Sequence, residues 1–157
     1  MNHEILISAS PHRVFSFLAE PERLPLWMDG LEESVYPPDF CADAPVGVTF
    51  QQRMTQAGRT VTYAVTTTRY VPPDGLTLHL QNPQMVVTVG YQLRPIRDGQ
   101  QVATRLTCAA QIERVGWLLK PVRPLFVTLF SDALARQLAT LKRVIEADAD
   151  NAADRAG

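Results

Sequence analysis

The chain has 157 residues, 46% of them hydrophobic and 20% charged, with a net charge of −1. That length suffices for a full core without disulfides or metals, and the near-neutral charge excludes the global basic field of a nucleic-acid-binding domain. Cys41 and Cys108 stand in no CxxC pattern, the start carries no basic-then-apolar leader, and no apolar run reaches the roughly 18–20 residues that span a bilayer. A cytoplasmic location with free thiols is therefore expected.

The elements follow in chain order. Residues 3–9 alternate, with Ile5, Ile7 and Ala9 on one face, and predict a first strand. Ser10-Pro11 is an N-cap followed by proline at the first helical position, and Val14, Phe15, Phe17 and Leu18 give the following helix a broad apolar face. Glu20-Pro21-Glu22 restarts a second short helix that carries Trp27 and Met28 and stops at Gly30. From Leu31 to Ile112 the pattern is strand-like. The strands are Leu31–Tyr36, Val46–Gln56, Thr60–Val71, Leu76–Gln81, Met85–Arg94 and Gln101–Ile112. Turn signals separate them, at Pro37-Pro38, Ala57-Gly58-Arg59, Pro72-Pro73-Asp74-Gly75, Asn82-Pro83 and Asp98-Gly99. Short turns between consecutive strands predict an antiparallel meander with one covered face. An irregular lead-in over 115–123 precedes a long helix from Pro124 to Ala147. Phe126, Phe130, Leu134, Leu138, Leu141 and Ile145 step along one of its faces. Residues 1–147 form the expected single domain, and 148–157 a polar, disordered tail.

The sheet must bury its apolar face, and the last helix is the large amphipathic element available to cover it. Twisted strands around one helix leave a cavity, with the two short helices plugging the opening. Its expected floor is Val48, Phe50, Val65, Leu78, Val89 and Leu106, its cover Phe126, Phe130 and Leu134, with Trp27 near the mouth.

At this point the chain resembles a known family. ISASPHRVFSFLAEPERLPLWMDG and LARQLATLKRVIEA are similar to the first and last parts of the START/birch-allergen-like (SRPBCC) superfamily, in its polyketide cyclase/dehydrase-like branch. The resemblance covers residues 1 to about 147 and implies an α+β helix-grip fold: a curved antiparallel sheet of six to seven strands wrapped around a long C-terminal helix, with two short helices after the first strand. The matching positions Pro11, Val14, Phe15, Trp27 and Leu141-Lys142 are architectural. The family includes carriers, receptors, cyclases and chaperone partners, so the fold leaves the activity open.

No nucleophile elbow, phosphate loop or metal-ligand spacing occurs, and no metal or cofactor is expected. His79 alternates with Leu78 and Leu80 and is expected outside the cavity. The polar candidates inside are Gln52, Tyr63, Arg69, Tyr91 and Thr104. Tyr63 and Tyr91 are candidate proton donors, and Arg69 a candidate anion holder, against the competing readings of core packing and strand-end exposure. Trp117 is a second candidate lid residue beside its alternative as an anchor, and Cys108 an inert core thiol.

Three readings follow. The first is a carrier or sensor for a small hydrophobic molecule such as a lipid, quinone or polyketide. The second is a cyclase, aromatase or dehydratase that moves protons with polar cavity residues, which requires at least two of Tyr63, Arg69, Tyr91 and Thr104 to converge. The third is a protein-interaction module. A monomer or weak homodimer is expected, without nucleic acid or a membrane span, and with transient membrane contact through the basic last helix as an option.

Overall fold

The computed structural model describes the backbone of residues 1–56 and 58–156, and their side chains except those of 98 and 150–156. Strand β1 (Asn2–Ile7) is followed by helices α1 (Pro11–Ala19) and α2 (Leu24–Trp27). Six strands come next: β2 (Leu31–Val35), β3 (Thr49–Gln56), β4 (Arg59–Val71), β5 (Gly75–Asn82), β6 (Met85–Asp98) and β7 (Gln101–Val115). A short 3-10 turn (Lys120–Val122) leads into helix α3 (Arg123–Ala156).

All strand pairs are antiparallel, in the order β1-β7-β6-β5-β4-β3-β2. The meander from β2 to β7 is thus the sequential one expected from the short turns, and β1 adds itself to the far edge. Because β1 and β2 lie on opposite edges, the intervening α1–α2 segment bridges the open side of the sheet. α1 starts as its sequence requires, with the Ser10 hydroxyl accepting from the Arg13 N–H at 3.4 Å and Pro11 opening the helix. The fold is the expected α+β helix grip.

Several boundaries differ from the sequence reading. β3 begins at Thr49 rather than Val46: Gly47 turns with φ +83°, and Val46 makes only an isolated parallel bridge to Thr67. β7 runs on to Val115, because Met85 and Val86 on β6 still offer it partners. α3 continues to Ala156, past the Ala147 end read from the large apolar residues. Alanines with high helix propensity carry it on, and Asp148 pairs with Arg13 of α1. The hairpin read at 57–59 lies partly outside the described residues; Gly58 turns there with φ +76°.

The packed core lies at the β1–β7–β6 side of the sheet. Ile7, Val14, Phe17, Val87, Leu106, Leu138, Leu141 and Ile145 are fully buried there or nearly so. The C-terminal half of α3 covers this region, fixed to β1 through Lys142 and Glu146. Over β3–β5 the cover changes to α2 and the N-terminal half of α3, and packing there is incomplete.

A neutral cavity between the sheet and the two covering helices

The incomplete packing leaves a partly open cavity of about 110 Å³. That is less than the ~300–1,000 Å³ of pockets that enclose a drug-sized ligand. It is of the order of the cavities of about 150 Å³ that admit a single aromatic ring.

Strand pairing places its lining in rows. Tyr70 of β4 faces Leu76 of β5, which faces Tyr91 of β6. The next row is Thr67, Leu78 and Val89, and the next Phe50 and Leu80, with the fully buried Val65 paired between them. The last is the cross-strand pair Gln52 and Tyr63. Tyr63 and Tyr70 stand at the two ends of this ladder, on the order of 20 Å of strand apart at roughly 3.3 Å per residue. The polar side chains of the strand ladder therefore gather toward its ends, with Thr67 alone among the apolar rows between them. Across from the sheet, Phe130, Ala133, Leu134 and Gln137 of α3 and Leu24 and Trp27 of α2 complete the enclosure.

Nine of the residues read from the sequence line this cavity: Trp27, Phe50, Gln52, Tyr63, Leu78, Val89, Tyr91, Phe130 and Leu134. Trp27 does so as a wall rather than a lid. It is 3% exposed, and its indole N–H donates to the Phe17 carbonyl at 2.8 Å.

Seven candidates are not brought to the cavity. Arg69 is exposed, because a β-bulge between Thr67 and Arg69 breaks the alternation and turns Tyr70 inward in its place. Its guanidinium instead lies against Gly75, in the space that a Cβ there would occupy. Thr104 is buried on the core side of the sheet, where its hydroxyl donates to the Ala9 carbonyl at 2.7 Å. Leu106 lies in the packed core on β7, a strand that contributes nothing to the lining. Val65 has the right face but no exposure, set between the longer Phe50 and Leu80. Val48 precedes the strand and is only half-buried. Phe126 is half-buried one turn before Phe130, its ring stacked on that of Phe130 at 6.3 Å. Trp117 is 76% exposed and does not line the cavity. His79 is half-buried and not part of the lining, as its alternation implies.

The sequence reading missed an aromatic wall from the β2–β3 connection. Tyr36 stacks on Phe50 at 4.6 Å and lies 4.5 Å from Phe40, which meets Phe50 edge-on at 6.1 Å. The available signal was two aromatics flanking Pro37-Pro38 in a connection that otherwise reads as a loop. Tyr70 was missed because a bulge leaves no periodic trace. Gln137 was legible as the polar residue in an apolar helical series, seven after Phe130.

Among the described residues the lining contains no Asp, Glu, Lys, Arg or His. Its polar groups are hydroxyls and amides. Burial raises the Tyr91 phenol far above its ordinary value, with nearby Cys108 adding to the rise. Burial also raises Tyr63, whose hydroxyl donates to Gln56 Oε1 at 3.1 Å. Tyr36 and Tyr70 are raised as well, first by burial. Every phenol is therefore a neutral hydrogen-bond donor at physiological pH, and none is poised as a base. Behind Tyr91, burial pushes the Cys108 thiol up to about 12, so it is no nucleophile. Among the described residues no three His, Cys, Asp or Glu side chains are grouped to hold a metal ion. No described helix is long and apolar enough to cross a membrane.

The sequence matches the family described as "Polyketide cyclase / dehydrase and lipid transport" over residues 1–146. Among curated proteins none matches it by sequence. Solved structures share its fold. The NE0264 protein of Nitrosomonas europaea is 15% identical, with a TM-score of 0.71 and 96% of each chain covered. The TTHA0849 protein of Thermus thermophilus is 13% identical, with a TM-score of 0.69, covering 94% of this chain and 97% of that one. The di-domain ARO/CYC BexL of the BE-7585A biosynthetic pathway is 16% identical, with a TM-score of 0.67, covering 93% of this chain and 46% of that one. At these identities the likeness is one of fold.

Proposed function

The chain belongs to the polyketide cyclase/dehydrase and lipid transport family, and on that basis we propose that it binds a neutral, elongated hydrophobic molecule in the cavity, as a carrier or sensor. The observation that carries this reading is the uncharged lining, whose strand rows hold hydrogen-bonding groups toward two ends and, Thr67 apart, apolar side chains between them. A buried carboxylate would meet no counter-charge there and would be expensive to desolvate. A hydroxyl or carbonyl at the end of an apolar chain would meet Tyr91 at one end, or Gln52 and Tyr63 at the other. The small volume favours a linear chain or a single ring over a fused ring system.

A cyclase or dehydratase is the second reading, and the family description favours keeping it. Tyr63 and Tyr91 do line the cavity, but in rows at its opposite ends, and neither Arg69 nor Thr104 joins them. Proton abstraction would also lack a base among the described lining residues. The carrier reading therefore takes precedence.

The test compares decanol with decanoate, which share a chain and differ in charge. Decanol should raise the melting temperature of the protein in a saturable manner, and decanoate at matched concentration should not. Leu78→Trp, which fills the middle of the cavity, should abolish the decanol effect while the variant still melts cooperatively. Equal stabilisation by decanoate, or an unchanged decanol response in Leu78→Trp, would overturn the proposal.

A further inference from the structure

The segment from β7 into α3 has a surface unlike the rest of the molecule. Trp117, Leu118, Val122, Leu125 and Leu129 are exposed by 76%, 58%, 46%, 60% and 58%. Five of the eleven large apolar side chains exposed on the described surface thus fall within thirteen residues. Isolated exposed apolar residues need no explanation, but a contiguous set does. Leu125 and Leu129 are one helical turn apart and point along the outer side of α3. Phe130, next to Leu129, faces the cavity. One helical turn therefore presents its outer face to the surroundings and its inner face to the cavity.

Between Glu113 and Asp132 the charges of this segment have one sign. From Arg114 to Ser131 the chain carries Arg114, Lys120 and Arg123 and no acid. All three cations are exposed. The first turn of α3 holds no acidic side chain either, so the positive end of the helix dipole adds to them. Like charge argues against a second copy of the chain, since a twofold contact would set these cations against one another. An exposed tryptophan, aliphatic side chains and flanking cations on an acid-free stretch are the combination that suits the boundary between headgroups and acyl chains.

We infer that the exposed apolar side chains of the β7–α3 segment, together with Arg114, Lys120 and Arg123, dock the protein on an anionic lipid bilayer surface. Trp117 and the leucines enter the headgroup boundary, and the cations meet lipid phosphates. The docking stands independently of what the cavity holds.

The chain supplies its own reporter, because Trp27 is buried and Trp117 is exposed. The full chain is mixed with phosphatidylcholine vesicles containing about 30 mol% phosphatidylserine, and with phosphatidylcholine vesicles alone. It should float with the anionic vesicles, and its tryptophan emission should shift to shorter wavelength. Trp117→Phe should remove the shift. Leu125→Ser with Leu129→Ser should weaken binding by at least about tenfold. Lys120→Glu with Arg123→Glu should weaken binding to anionic vesicles by a similar factor and leave any weak binding to phosphatidylcholine unchanged. These positions are exposed, so the variants should melt like the parent. Failure of the parent to float at low salt would overturn the inference, as would binding unaffected by both double substitutions. An emission shift that follows protein concentration without vesicles, with a dimer in light scattering, would assign the patch to a second copy instead.

Discussion

Thr104 shows how a single residue acquires its role. On the strand pattern it shares a face with Leu106 and Cys108 and reads as a polar handle for a ligand. Its hydroxyl is committed to the Ala9 carbonyl, where β1 leaves the sheet toward α1. Thr104→Val keeps the shape and strands that buried carbonyl, which costs about 1–3 kcal/mol. Chemical denaturation should show that loss, and the decanol response should remain. A lost response with unchanged stability would return Thr104 to the binding site. Arg69 and Tyr70 make the complementary case. Alternation alone assigns the inward position to Arg69, and one bulge hands it to a neutral phenol. The exchange changes the cavity from one with an anion partner to one without.

At the scale of elements, α3 is held to β1 by a few polar contacts around an apolar interface. Glu146 accepts from the Ser8 backbone N–H at 3.0 Å and pairs with Lys142 at 2.9 Å, while Lys142 also donates to the Leu6 carbonyl. Burial pushes the Glu146 carboxyl up, but Lys142 and the Ser8 N–H outweigh it and hold the pKa below its usual value. A carboxylate with a lowered folded pKa stabilises fully above its unfolded value, and that contribution is lost as pH falls through the folded one. Glu146→Gln should therefore destabilise at neutral pH and lose its effect below the folded pKa. Both partners are substantially exposed, so the neutral-pH loss is under about 1 kcal/mol. Urea midpoints for parent and variant at both pH values check this; a difference that persists unchanged in acid would remove the tie from the account. The same helix illustrates a limit of periodicity. The apolar stripe ends at Ile145, but the helix does not, because helix propensity and the Arg13–Asp148 pair extend it.

At the scale of the whole molecule, the tyrosines are all shifted in one direction because the fold turns all of them toward one cavity. Tyr36, Tyr63, Tyr70 and Tyr91 all line it, and all have raised pKa values, chiefly from burial. A group whose folded pKa is raised contributes its stability fully below the unfolded value of 10.0 and loses it as pH rises above that value. Denaturation midpoints should fall between about pH 9 and 11, and phenolate absorbance should lag that of the unfolded chain. Tyr91→Phe should lessen the alkaline fall. A native phenolate titration that coincides with the unfolded one would contradict the burial of these rings. The sequence alone determined the element order, the antiparallel meander and the inward face of most strands, because those depend on local periodicity, caps and turn residues, and its resemblance to a known family implied the helix-grip class. The tertiary structure decided which inward residues meet open space and which meet packed neighbours. It also decided where a bulge reverses a face and that an irregular Pro-rich connection supplies an aromatic wall. Those outcomes depend on which side chains face one another across the sheet and helices, and no periodic signal along the chain records that. The cavity was therefore legible in advance as a container, while its neutrality and its separated polar ends emerged only from the packing.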